Sequence, residues 1–254
     1  MNPGVASTTV QLTIHGRPLE LKITAPVAPV TARAMLPLFR SMADTFASLS
    51  EQHARSQGMS VSCTKGCGAC CRQLVPVAPI EAIELREMIH SMPEPRRSEI
   101  LRRFDEARKQ FEAAGLMDRM RRLPSFSREE LAALGIEYFA CGVACPFLEA
   151  ESCSIHPQRP LACREFLVVS PAEFCRQPQE RKIRRTELFA DVGGAVRALR
   201  PGESAPAEPW IPLILALDFA DTHRDEGAPR PGTEWADRLL AILRKQPAQR
   251  TDGR

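Results

Sequence analysis

Four cysteines fall within nine residues, Cys63-x3-Cys67-x2-Cys70-Cys71, and this restricts the fold more than any other feature of the chain. No ordinary hydrophobic core needs thiols at that density. Three more follow: Cys145 before Pro146, Cys153, and Cys163 inside Arg159-Pro160-x2-Cys163-Arg164. A thiol binds metal as a thiolate, and with a free pKa of about 8.5 it is mostly protonated at neutral pH. Gathering several thiolates without a cation is electrostatically prohibitive. A soft metal or an iron–sulfur core removes that cost and releases protons as it binds. The pattern therefore predicts an inorganic centre held by sulfur from two distant segments.

Disulfides explain the pattern less well. The total of nine is odd, and adjacent Cys70 and Cys71 would close only a strained ring. Met1 to Gln11 has no basic stretch leading into an apolar one, and the best apolar stretch, Ile211 to Ala220, is short and holds Asp218. These features predict a cytoplasmic protein with no membrane segment, in a compartment that keeps thiols reduced. A net charge of +3, from 34 basic and 31 acidic side chains, gives no reason to expect nucleic acid or acidic lipid as partner. Between Arg96 and Arg122 the arginines alternate with Glu99, Asp105, Glu106, Glu112 and Asp118, which reads as a solvated helix face. The basic run Arg181, Lys182, Arg184 and Arg185 reads as exposed surface, with contact to an unknown protein partner as the alternative.

The expected fold is mainly α, with a small N-terminal β-hairpin and helices around an irregular cysteine-rich, metal-binding centre. Three regions are expected: 1–60, hairpin and helix; 61–180, the cysteine-cluster domain; and 181–254, helical with a disordered tail after Pro247. Val10, Leu12 and Ile14, then Leu19, Leu21 and Ile23, alternate with polar positions on either side of a turn. A helix follows over about Ala32 to Ala54, with Met35, Leu36, Phe39, Met42, Phe46 and Leu49 on one face; Pro37 suggests a start near Leu36. Further helices are predicted from Pro79, over Arg96 to Ala114 with Gly115 as stop, from a Ser127/Glu130 capping box through Leu134, over Arg185 to Leu199, and over Thr233 to Lys245. Glu137 to Pro178 lacks periodicity and is expected to be loops ordered by metal, and Gly202 to Pro209 a surface connection.

If Cys67 to Cys71 opens a helix, Cys70 and Cys71 diverge by about 100°. They would not both ligate one ion, so one lies outside the ligand shell, the site is polynuclear, or there are two sites. Gly66 and Gly68 permit positive φ or close backbone approach. Arg159 and Arg164 flank Cys163, where a guanidinium either donates to the sulfurs or pairs with a carboxylate such as Glu165; the residues alone leave both open. Cys141 and Cys175 read as buried free thiols, and His156 as structural or supporting rather than a ligand.

The ordered combination Cys63-Thr-Lys-Gly-Cys67-Gly-Ala-Cys70-Cys71, Cys145-Pro-Phe-Leu, Cys153-Ser-Ile-His and Arg159-Pro-Leu-Ala-Cys163-Arg164 resembles the YkgJ-type cysteine-cluster family, a zinc- or iron-chelating type with a CxxCxxCC signature. Two departures are a first gap of three residues rather than two, and His156 where tyrosine is common. The resemblance implies seven metal ligands: Cys63, Cys67, Cys70, Cys71, Cys145, Cys153 and Cys163. The family includes flagellin lysine N-methylases.

The first functional reading is a metal-binding protein carrying an iron–sulfur cluster of the 4Fe–4S kind, with electron transfer or redox sensing, or zinc in a closed structural site. The second, implied by the resemblance, is an S-adenosylmethionine-dependent protein lysine N-methyltransferase. Cys63-x3-Cys67-x2-Cys70 has radical S-adenosylmethionine spacing, but Ala69 precedes its last cysteine and no βα alternation follows. The third is a metal-stabilised protein-interaction module.

Overall fold

Alternating apolar residues do pair as a hairpin at the start of the chain. Strand β1 (Val5–Ile14) runs antiparallel to β2 (Arg17–Pro26), with Ile14 opposite Arg17 and Leu12 opposite Leu19. Threonines at 8, 9 and 24 favour extended backbone and lengthen both strands beyond the alternating core. One face buries Leu12, Ile14, Leu21 and Ile23. The structure, a computed structural model, describes residues 4–14, 16–64, 66–123, 126–199, 211–223 and 227–246. The expected connection at Gly202 to Pro209 and the tail after Pro247 lie outside the described residues.

The fold is mainly α, its strands confined to small antiparallel pairs. After a 3₁₀ turn at Arg33–Met35 comes α1 (Leu36–Ser56), with Pro37 in its first turn where no N–H is needed. Then follow α2 (Pro79–Ser91), α3 (Arg96–Ala113), α4 (Met117–Arg121) and α5 (Arg128–Ala140). Ser127 caps α5 as its sequence predicts: its hydroxyl accepts from Glu130 N–H at 3.2 Å, and the Glu130 carboxylate accepts from Ser127 N–H at 2.6 Å. Short helices α6 (Leu161–Arg164), α7 (Val192–Ala198) and α8 (Ala216–Thr222) precede α9 (Gly232–Leu243). No helix among the described residues is long and apolar enough to cross a membrane.

Two expectations need correction. Helix α5 continues past Leu134 to Ala140, because Leu134 and Tyr138 share a buried face and Tyr138 stacks on Phe111 with ring centroids 4.2 Å apart. The predicted helix over Arg185 to Leu199 shrinks to α7. Residues 184–186 are instead drawn into extended pairing, with Val169 N–H on Arg184 C=O and Thr186 N–H on Leu167 C=O, both at 2.9 Å. Asp191 then starts α7 by accepting from Gly194 N–H at 2.6 Å.

Two apolar clusters flank the cysteine-rich segment. The first joins the hairpin, Phe39 and Phe46 of α1, Leu161, Val192 and Val196 of α7, and Trp235 and Leu239 of α9. Early and late parts of the chain thus share one core. Trp235 is fully buried and donates its indole N–H to Val30 C=O at 2.9 Å, so no polar atom of the side chain is stranded. The second joins Leu85 and Ile89 of α2, Ile100, Phe104 and Phe111 of α3, Leu134 of α5, Phe147, Ile155 and residues 211–217. Helix α2 serves both clusters through Ile80 on one side and Leu85 on the other, placing the first turn of α2 beside the cysteine segment.

Phe104 is fully buried and packs edge-on to Phe147, with centroids 5.5 Å apart, directly beneath the Cys145-Pro146 turn. Phe104→Ala is expected to lower unfolding free energy by about 3–5 kcal/mol in a urea titration. A loss below about 1 kcal/mol would contradict this packing, because a collapsed or solvated site costs far less than a retained cavity.

Candidate metal centre

The first cysteine stretch ends in a 3₁₀ helix, Ala69–Arg72, rather than an α-helix. Gly66 turns the chain into it with φ +87°, a conformation that disfavours a side chain. Gly68 is needed for another reason: a Cβ there would stand 2.7 Å from Leu148 Cδ1 and 3.1 Å from the Glu151 Cα. Those atoms belong to the tight turn between β3 (Leu148–Glu149) and β4 (Ser152–Cys153), in which Ala150 and Glu151 both take positive φ. The Arg72 guanidinium donates to Gly68 C=O at 3.1 Å and to the Glu151 carboxylate at 2.8 Å, and Cys145 N–H donates to Cys71 C=O at 2.7 Å. The first stretch and the segment carrying Cys145 and Cys153 are therefore docked backbone to backbone.

Cys163 enters on α6, which is fixed at both ends by buried carboxyl groups. Glu81 accepts from Leu161 N–H at 2.8 Å and from Ala78 N–H at 2.9 Å, so one side chain ties the first turns of α2 and α6. Glu165, at the other end, accepts from Val192 and Gly193 N–H at 2.7 and 2.9 Å. Burial raises both groups above the usual carboxylate range, Glu165 to about 8. Arg164 pairs with Asp44 of α1 at 2.7 Å, donates through Nε to Arg159 C=O at 3.2 Å, and also donates to Pro157 C=O. Its carboxylate partner is Asp44 rather than Glu165, and its guanidinium is committed to these groups, away from sulfur.

Arg159 is placed differently. Its charge acts on Cys63, Cys70 and Cys153, favouring the thiolate at each. One guanidinium nitrogen bonds His156, which is thereby occupied, while the buried Nε, like those of Arg40 and Arg230, has no hydrogen-bond partner among the described residues. A buried donor without an acceptor is costly and uncommon in folded proteins.

Cys63 reaches residues downstream of α6: Val168 N–H donates to its sulfur at 3.4 Å, and Ser62 N–H donates to Val168 C=O at 2.8 Å. Cys175, read from sequence as an unrelated buried thiol, belongs here too. It lies on the 3₁₀ helix Ala172–Arg176, which packs against Ala69–Arg72, in a small apolar cluster with Ala69, Val168 and Cys67. Only its position after the motif hid it; no recognisable spacing links it to Cys163. Cys141 stands apart, its S–H donating to Glu137 C=O at 3.4 Å.

The sulfurs sense one another across the two stretches. The neighbouring Cys71 thiol holds Cys70 down to about 7, and Cys70 in turn pushes Cys71 far up. Burial raises Cys63 and Cys153, pushes Cys145 up to about 12 and Cys175 to about 11, and lifts Cys163 well above the usual thiol range. Neighbouring thiols add to each shift: Cys145 and Cys70 act on Cys163, and Cys63, Cys70 and Cys67 act on Cys175. Among the described residues no three His, Cys, Asp or Glu side chains are placed so that they could hold a metal ion as they stand. All-sulfur donor chemistry fits a soft cation or cluster, whose positive charge would offset the cost of buried thiolates.

Residues 62–184 match the CxxCxxCC family model, described as a "Putative zinc- or iron-chelating domain". The matched range extends past Arg164 and includes Cys175. No curated protein and no solved structure gave a match.

Because the β3–β4 turn rests on Gly68, Gly68→Ala should separate the two cysteine stretches while leaving the helical core intact. Hydrogen exchange should show faster exchange at Cys145 N–H, with α3 protection unchanged. Unaltered exchange at Cys145 would contradict the docking.

Proposed function

We propose that this chain, as the carrier of a CxxCxxCC domain, is a metal-binding protein that holds zinc or iron through thiolates drawn from both cysteine stretches. The observation that carries this reading is the convergence of Cys63, Cys67, Cys70 and Cys71 with Cys145, Cys153, Cys163 and Cys175 around the 3₁₀ helix at Ala69–Arg72. Zinc or iron would supply the charge that lets these thiols ionise together, and a tether between segments otherwise joined by few backbone bonds. Apparent binding energies of structural zinc sites are about 10–16 kcal/mol, enough to order an irregular segment such as 141–176. Arg159 would neutralise excess thiolate charge and donate its free Nε to sulfur.

An iron–sulfur centre with a redox role is the second form of this reading. Its support is the number of thiols, eight, and the solvent exposure of Cys63, by which electrons could enter from solvent.

Anaerobic purification followed by metal and acid-labile sulfide analysis and a visible spectrum tests the proposal. Stoichiometric zinc, or iron with sulfide, is expected. Cys67→Ser, Cys163→Ser and Cys175→Ser should each lower bound metal, whereas Cys141→Ser should not. A well-folded, fully reduced protein that retains no metal, or equal metal content in all four variants, would reject it.

A further inference from the structure

The two outer edges of the N-terminal hairpin are unlike. In an antiparallel pair, residues alternately exchange backbone bonds with the opposite strand and point their N–H and C=O outward. Val27 N–H donates to Gly4 C=O at 2.9 Å, and the register sets Val5 opposite Pro26 and Ile14 opposite Arg17. The outward-pointing residues are therefore Val5, Ser7, Thr9, Gln11 and Thr13 of β1, and Pro18, Glu20, Lys22, Thr24 and Pro26 of β2. On β2 both prolines lack an N–H to offer, and Glu20 and Lys22 bring charge. These are the devices by which proteins close a sheet edge to other chains. Strand β1 has none of them. From Val5 to Ile14 it holds no charged residue, no proline and no glycine, and it pairs with β2 without a bulge.

That open edge is also uncovered. Among the described residues no other strand pairs with β1. Residues Val5 to Thr9 are exposed on both faces of the strand, Val5 at 65%, and Gln11 and Thr13 are exposed as well. On the inward face β2 buries Leu21, Ile23 and Ala25, whereas the β1 residues opposite them, Val10, Thr8 and Ala6, stay half-buried or exposed. The core fully covers β1 only at Leu12 and Ile14.

We infer that β1 is a dimerisation edge, pairing antiparallel with β1 of a second copy of this chain to make a four-stranded sheet. A two-fold axis at Thr9 sets Val5 of one copy opposite Thr13 of the other, Ser7 opposite Gln11, and Thr9 opposite Thr9. Every outward-pointing residue of β1 then meets another outward-pointing one, so none of these N–H and C=O groups is left over. No like charges face each other across the join, because the strand carries none. The inward faces of both hairpins lie on one side of the joined sheet, with Ala6 and Thr8 of each copy beside Leu12 and Val10 of the other. The half of β1 that its own core leaves bare is thus set against the covered half of its twin. So neutral an edge gives a charged foreign strand nothing to pair with.

Analytical ultracentrifugation of the full chain in reducing buffer, across a concentration series, tests this. The wild type should sediment with twice the mass of one chain. Thr9→Pro removes an N–H that the hairpin itself does not use. It should raise the dimer dissociation constant at least about tenfold, since both bonds of the Thr9 pair are lost, with the circular dichroism spectrum unchanged. Should proline disturb the hairpin, Thr9→Lys and Thr9→Glu read the same join: each alone should be monomeric, and an equimolar mixture should recover a dimer. Thr24→Lys, on the edge of β2, should dimerise as the wild type does. A monomeric wild type would overturn the inference and leave the edge to a different chain. A dimer indifferent to Thr9→Pro, one lost equally in Thr24→Lys, or a mixture of the charged variants that stays monomeric would overturn it too.

Discussion

The docking of one short 3₁₀ helix against a two-residue-stranded turn is the constraint on which the cysteine region depends. Residues Ala69–Arg72 meet the β3–β4 turn across Gly68, where no side chain fits, and a hydrogen bond from Cys145 N–H to Cys71 C=O fixes the register. Sequence separation between the two stretches exceeds seventy residues, so nothing local brings their sulfurs together. The helical clusters on either side do it by holding the ends of the intervening segment. Arg164 with Asp44, Glu81 with Leu161 and Glu165 with α7 then orient α6, and with it Cys163. Buried polar groups of this kind add little net stability but select one arrangement over its neighbours.

Electrostatics gives the arrangement its chemical sense. Most of the gathered thiols are pushed up by burial and by one another, so the uncharged form is favoured until a cation arrives. Binding would therefore expel protons and tighten a region whose protein-only contacts are sparse. The polar links around α6 hold the frame while the sulfurs adjust.

Much of this was legible in the residues, for identifiable reasons. Apolar alternation found the hairpin, and Pro37 and Ser127 marked helix starts through their backbone chemistry, while the seven-sulfur ligand set came from the family resemblance. Non-local effects were not legible. Cys175 joins the others through packing of two 3₁₀ helices, which leaves no periodic trace. Helix propensity over Arg185 to Ala190 yields to pairing with residues 167–170, a contact that single-segment patterns do not encode. Asp44 as partner of Arg164 lies 120 residues away, whereas Glu165 was merely adjacent.

A crystal structure of the metal-loaded protein, with anomalous scattering collected at the metal edge, tests the central claim most directly. The account predicts anomalous peaks ringed by sulfur at about 2.3 Å, the zinc–thiolate distance, with ligands contributed by both the Cys63–Cys71 stretch and the Cys145–Cys175 stretch. Metal bound by one stretch alone, or by oxygen and nitrogen elsewhere on the surface, would contradict it.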